Sequence, residues 1–121
     1  MKTDPRENRI NYVEFPAASS KVHAATKKFY EESFGWSYQS WGDDYSDTKS
    51  SGIKSGINGS EHRPRAPLVI LFSSNLEAAR ERVVKAGGKI SMDIFSFPGG
   101  RRFHYIDPSG NELGVWSDIQ K

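Results

Sequence analysis

The chain has 121 residues, 17 Lys and Arg against 15 Asp and Glu, a net charge of +2, 36% hydrophobic residues and no cysteine. That length suits one domain with a real core, and the near-balanced charge argues against a nucleic-acid footprint. The missing cysteine excludes disulfides, thiolate catalysis and Cys-based zinc sites, and no apolar run reaches the length of a membrane span. Met1 to Arg9 is polar and reads as a loose N-terminal arm. It has no signal-peptide pattern, so a cytoplasmic location is expected.

Ile10 to Pro16 alternates and ends at proline, as a strand does. Ser19 or Ser20 can cap a helix, and Val22, Ala25, Phe29 and Ser33 follow helical spacing up to a stop at Gly35. Glycine-broken strand segments are expected over Trp36–Trp41, Tyr45–Lys49 and Gly52–Ile57. A polar stretch with two prolines leads to Leu68–Phe72, a second apolar strand. Ser73-Ser74-Asn75 supplies a cap, Leu76, Ala79, Arg80, Val83 and Ala86 form an amphipathic stripe, and Gly87-Gly88 stops that helix. Lys89–Phe95, Arg101–Ile106 and Glu112–Trp116 then read as strands. Asp107-Pro108-Ser109-Gly110 is a tight turn, with Pro fixing φ at its second position.

The order is βαβββ twice. The expected fold class is therefore α+β: two βαβββ modules whose curved sheets enclose a concave cup, with the helices outside. A single domain spans 10–118, with module one at 10–58, a linker at 59–67 and module two at 68–118. Neither module has the core to stand alone.

The repeated βαβββ order, Phe29-Tyr30 followed by Phe34-Gly35-Trp36, and the ending Asp107-Pro108-Ser109-Gly110-Asn111-Glu112-Leu113 resemble the vicinal oxygen chelate superfamily. That superfamily contains glyoxalase, extradiol dioxygenases, fosfomycin-modifying enzymes and the bleomycin-resistance proteins. The resemblance covers about Ile10 to Ser117, and Phe97 to His104 is similar to a subgroup known only as glyoxalase-like. It implies a fold more than an activity, because the superfamily hosts several chemistries and also non-catalytic binders. In its enzymes, a His or Gln on a module's first strand and a Glu on its last strand hold a metal. The resemblance carries those positions onto Tyr12, Leu68 and Gly114. These residue types do not build a zinc, iron or manganese site, so no metal and no cofactor are expected.

Other polar groups can serve a site. Side chains alternate along a strand, so His104 shares a face with Ile106 and Arg102, and Glu112 shares one with Gly114 and Trp116. His104 with Glu112 or Glu14 can move a proton without metal. The plainer readings are a hydrogen-bonded strand histidine, a turn-bracing Glu112 and a salt-bridged Glu14. Arg102, rather than Arg101, is the arginine expected to meet an anionic group. Tyr12, Trp41, Tyr45 and Trp116 are expected to line the cup, where a flat ligand can stack.

Two functions compete on these residues. One is a metal-independent small-molecule binder of the glyoxalase or bleomycin-resistance type. The other is a lyase or isomerase-like enzyme using His104 with Glu112 or Glu14. A small-molecule ligand and a twofold homodimer are the expected partners, the second because short sheets leave edges to cover.

Overall fold

The computed structural model describes residues 3–119. The chain is α+β, with the order βαβββ repeated: β1 (Ile10–Pro16), α1 (Ser20–Phe34), β2 (Gln39–Ser40), β3 (Tyr45–Thr48) and β4 (Ser55–Asn58), then β5 (Leu68–Phe72), α2 (Leu76–Lys85), β6 (Lys89–Phe97), β7 (Gly100–Ile106) and β8 (Glu112–Ser117). Two compact units result, one holding Tyr12–Leu68 and the other Val69 onward together with the residues up to Asn11. No helix among the described residues is long and apolar enough to cross a membrane.

In the Tyr12–Leu68 unit the strand order is β2-β3-β4-β1. β4 runs parallel to β1, with Val13 opposite Ser55 and Pro16 opposite Asn58, and antiparallel to β3. Ser19 caps α1 by accepting the Val22 N–H at 3.2 Å, and Gly35, at φ 71°, ends it in the left-handed region. The stripe this helix buries differs from the one its apolar residues predict. Val22 and Phe29 are 43% and 56% exposed, whereas His23 is buried and Thr26, Lys27 and Tyr30 are half-buried. The reason lies beneath the helix, where Ser46, Thr48 and Ser55 are buried beside Ile57. Hydroxyls need hydrogen-bonding partners when buried, and His23 provides one to Ser46.

The strand expected over 36–41 forms only at Gln39–Ser40. Trp36 instead stacks on Tyr30, with ring centroids 4.8 Å apart. The strand expected from Gly52 begins at Ser55, since Gly52 takes a φ of 89° incompatible with a strand.

In the other unit the strand order is β5-β8-β7-β6. β5 is parallel to β8, as β1 is to β4. Asn75 caps α2 through the Ala78 N–H at 3.1 Å, and the predicted stripe is buried at Leu76 and Ala79 and half-buried at Arg80 and Val83, while Ala86 is exposed. Leu76 and Ala79 pack on Phe103 and Val115, with Val83, Ile90, Ile94 and Tyr105 around them. The Asp107 turn forms as expected. Gly110 N–H donates to the Asp107 carbonyl, and Asp107 Oδ1 accepts from Ser109 and Asn111 N–H, each at 2.9 Å. Those bonds, Asn111's first, hold the Asp107 carboxyl below its ordinary range.

Residues 4–9, expected to be loose, are tied down. Glu7 accepts from Ser74 N–H at 2.8 Å and Ser73 Oγ at 3.3 Å. Asn8 N–H donates to the Phe72 carbonyl, and Phe72 N–H donates to the Arg9 carbonyl. Arg6 lies over the Phe72 ring at 3.8 Å and pairs with Asp4 and Asp118. A polar sequence does not prevent docking when its polar groups find partners.

Candidate functional site

Each module has one sheet face turned toward its helix and one turned away, and the polar clusters lie on the faces turned away. On β1, β3 and β4 this face carries Tyr12, Glu14, Tyr45, Asp47, Gly56 and Asn58, by the register Glu14↔Gly56, Asp47↔Gly56 and Tyr45↔Asn58. Glu14 is 2% exposed. One of its oxygens accepts from Tyr45 Oη at 3.1 Å and the other from Asn58 Nδ2 at 3.3 Å. Tyr45 and Tyr12 hydroxyls are 2.6 Å apart. Burial first, and then Glu14, push the Tyr45 phenol far above its ordinary value of 10.0. Tyr45 thus stays protonated and gives its only proton to Glu14, so Tyr12 must be the donor to Tyr45. The result is a one-way array, Tyr12 to Tyr45 to the Glu14 carboxylate, polarised by a buried negative charge.

This face has no room for a side chain at position 56. A Cβ there would stand 2.0 Å from Tyr12 Oη and 2.5 Å from Tyr45 Oη. Glycine is what lets the two hydroxyls converge over the backbone.

On β7 and β8 the face turned from α2 carries Arg102, His104, Glu112, Gly114 and Trp116, through the register Arg102↔Trp116, His104↔Gly114 and Ile106↔Glu112. His104 is buried, with its ring edge-on to Phe95 at 5.9 Å. Its Nδ1 lies 3.5 Å from Glu112 Oε2, and that same oxygen accepts from Ser91 Oγ at 2.7 Å. Ser91 therefore fixes the carboxylate beside the imidazole, where it can orient the ring. The turn-bracing task belongs to Asp107, not to Glu112. Arg102 lies over Phe95 and Phe97 at 5.4 and 5.7 Å. Arg101 faces α2 and grips Glu77 at 2.6 and 3.2 Å, so the alternation expected of the pair holds.

Trp116 is engaged on three sides. Its Nε1–H donates to Asn11 Oδ1 at 3.0 Å, its ring meets Phe72 edge-on at 5.2 Å, and the Arg6 guanidinium lies 5.8 Å away. Trp41 is 57% exposed, and its backbone N–H pairs with the Tyr45 carbonyl. The structure thus gathers Tyr12, Glu14 and Tyr45 in one cluster and His104, Glu112, Arg102 and Trp116 on one face. Trp41 joins neither.

The two faces repeat one register. Counting from Gly56 and from Gly114, Tyr45 takes the place of Arg102, Asp47 that of His104, Asn58 that of Trp116, and Glu14 that of Ile70. Asn58, Asp47 and Ser91 were not anticipated as site residues. The repeat itself carried the signal for Asp47, two residues after Tyr45 as His104 follows Arg102. Two open cavities are lined by residues other than Tyr12, Tyr45, Arg102 and His104. One of 220 Å³ sits against α2, floored by Leu71, Ala79 and Val115. One of 300 Å³ sits at the β2–β3 edge beside Gln39, Asp47 and Thr48.

The sequence profile of the Glyoxalase/Bleomycin resistance protein/Dioxygenase superfamily matches residues 9–115. CFP32 of Mycobacterium bovis and of Mycobacterium tuberculosis, whose name marks it as a glyoxylase candidate, is 26% identical over 131 aligned positions. The match takes in 95% of this chain and 48% of CFP32, so the chain spans about half the length of the curated relatives it matches. Among solved structures, the Mn(II)-bound glyoxalase of Novosphingobium aromaticivorans superposes with a TM-score of 0.67 at 23% identity, over 96% of this chain and 40% of that one. Methylmalonyl-CoA epimerase of Mycobacterium tuberculosis superposes with a TM-score of 0.62 at 13% identity, over 97% and 92% of the two chains. At these identities the superpositions speak for the fold.

Proposed function

The chain belongs to the Glyoxalase/Bleomycin resistance protein/Dioxygenase superfamily, and from that premise we propose that it is a metal-independent small-molecule binding protein. One observation carries the reading. At the positions onto which the resemblance carries the metal ligands of the family's enzymes, this chain has Tyr12, Leu68 and Gly114. Leucine and glycine side chains offer no donor atom, Leu68 is 2% exposed, and Tyr12 spends its hydroxyl on Tyr45. Neutral phenol, buried leucine and bare glycine do not fit a divalent transition ion. Those three residues support a reading in which the Mn(II) of the Novosphingobium glyoxalase has no counterpart here.

Each unit offers its own groups to a ligand. In the Tyr12–Leu68 unit the Tyr12–Tyr45–Glu14 array offers oriented hydroxyls. In the other unit the His104–Glu112 pair offers an imidazole that can donate or accept, and Arg102 offers a planar guanidinium to an anion. We include a twofold homodimer and cytoplasmic residence in the proposal. Members of the superfamily commonly dimerise, and short sheets leave edges to cover.

A second reading is favoured by the 3.5 Å separation of His104 Nδ1 and Glu112 Oε2. A carboxylate held beside an imidazole by Ser91 is the arrangement a general acid–base needs, and it would make the protein a lyase or isomerase-like enzyme. The deciding experiment combines metal analysis of protein purified without added metal with a thermal-shift screen of small carboxylic acids, aromatic compounds and 1,2-dicarbonyls. A shift by an unchanged ligand in metal-free protein supports the binder. Turnover that Glu112→Gln abolishes supports the enzyme. Stoichiometric manganese, nickel, iron or zinc overturns metal independence.

A further inference from the structure

The helix side of the first module holds a titratable group that neither reading uses. His23 on α1 is 3% exposed, and its Nε2 lies 3.0 Å from Ser46 Oγ. Ser46 is itself fully buried and donates to Ser40 Oγ at 3.2 Å. Ser40 also accepts from Lys27 Nζ at 2.9 Å. A chain of four side chains thus joins α1 to β3 and to the two-residue edge strand β2.

The rest of the niche is backbone. Gly59 closes one side so tightly that a Cβ there would stand 2.9 Å from His23 Cβ and 2.9 Å from the Ser19 carbonyl oxygen. Gly59 N–H donates to the Asp44 carbonyl at 2.7 Å, which ties the turn after β2 to the same niche. The charged groups acting on the ring are Lys27 from α1 and Asp44 from that turn, and the Asp43 backbone accepts a hydrogen bond that favours a proton on the ring. From β3 comes the neutral Ser46 hydroxyl, and from the segment after β4 only the Gly59 backbone.

We propose that His23 is an acid-sensitive latch: a second proton on its ring expels it from the niche and releases β2 and the Asp43–Asp44 turn from α1. Ser46 gives its one proton to Ser40, so the ring donates Nε2–H to Ser46 in the neutral form and in the cation alike, and burial and Lys27 set the two forms apart. A cation there loses its water, and it meets the Lys27 ammonium on the same chain. Asp44 and the Asp43 backbone offset only part of that cost. Burial first and Lys27 second hold the ring below its ordinary value of 6.5. Linkage then sets the direction. The released or unfolded chain takes up the proton as pH falls through 6.5 while the latched ring stays neutral, so the latched state loses stability from there downward. β2 is the element most open to release, because two strand residues and one edge pairing hold little.

Two measurements on the full chain test this. The first is the NMR titration of the His23 ring. The second is amide exchange over residues 39–46, corrected for the intrinsic pH dependence, at about pH 7.5 and about pH 5. The latch predicts a titration midpoint below 6.5, and exchange over 39–46 that rises at least about threefold more than exchange in α2 as pH falls. Lys27→Gln should raise the midpoint, and the non-titrating His23→Gln should flatten the pH response of residues 39–46. A midpoint at or above 6.5 overturns the proposal, and so does exchange over 39–46 that follows α2 at both pH values. If His23→Gln fails to fold, the wild-type titration and Lys27→Gln decide alone.

Discussion

The Tyr12 and Tyr45 hydroxyls meet 2.6 Å apart over the bare Cα of Gly56. A methyl group at that Cα would sit inside the contact distance of both oxygens. Gly56→Ala should therefore destabilise the protein by about 1–3 kcal/mol, as overpacking does. The denaturation midpoint in urea should fall at unchanged slope. Tyr12→Phe in the same background should restore part of the loss by removing the nearer oxygen. A midpoint equal to wild type would mean that the tyrosines give way without cost.

The buried phenol of Tyr45 sets a limit on alkaline stability. Its folded value lies far above 10.0, while in the unfolded chain it ionises near 10.0. Above that pH the unfolded state sheds a proton that the folded state keeps. Stability is thus unaffected below about pH 10 and falls with every further rise. Thermal midpoints measured from about pH 8 to about pH 11 should bend downward near the upper end. Tyr45→Phe should flatten the bend, even if its midpoint at neutral pH is lower.

Core and surface positions of the second module should differ sharply. Phe103 is fully buried against Leu76, Ala79 and Val115, so Phe103→Ala should cost about 3–5 kcal/mol. Val84 on α2 is 50% exposed, and Val84→Ala should stay within about 0.5 kcal/mol. Chemical denaturation of the two variants side by side checks both. Similar losses would mean that α2 packs differently from the structure.

Ligand recognition should depend on His104 more than stability does. With a hit from the thermal-shift screen in hand, His104→Gln should weaken binding by at least about tenfold, since a lost hydrogen bond to a buried group costs about 1–3 kcal/mol. Isothermal titration measures the loss, and circular dichroism checks that the fold persists. Binding at wild-type strength would remove His104 from the site.

A homodimer should show in light scattering as a mass of twice 13.6 kDa at micromolar concentration. A mass of 13.6 kDa under those conditions would remove that part of the proposal.

The candidate site was legible wherever alternation alone decides a side chain's face. His104, Arg102, Glu112 and Trp116 share a face because residues two apart on a strand must, and a tight Asp-Pro-Ser-Gly turn holds the register of β7 against β8. Glu14, Tyr12 and Tyr45 were each readable as candidates for the site, but not their bonding. Tyr45 reaches Glu14 across 31 positions of sequence and Asn58 reaches it across 44, distances over which local pattern says nothing. Ser91 was invisible for the same reason, since it sits at a register shift of β6 against β7 between Ile90 and Met92 and reaches Glu112 from there.

The two helices mark the boundary most clearly. The sequence by itself determined the βαβββ repeat, a cap at Ser19 or Ser20 and another within Ser73-Ser74-Asn75, the stops at Gly35 and Gly87, and the burial of Leu76 and Ala79 on α2. All of these follow from short-range geometry and from an apolar stripe that meets an apolar sheet. The buried face of α1 was decided by tertiary structure. The sheet beneath it presents Ser46, Thr48 and Ser55, so the helix turned His23 inward and left Val22 and Phe29 outside. Hydrophobic spacing predicts burial only when the partner surface is hydrocarbon. Where the partner is a layer of hydroxyls, the need to satisfy buried polar groups outweighs the transfer of one valine and one phenylalanine from water.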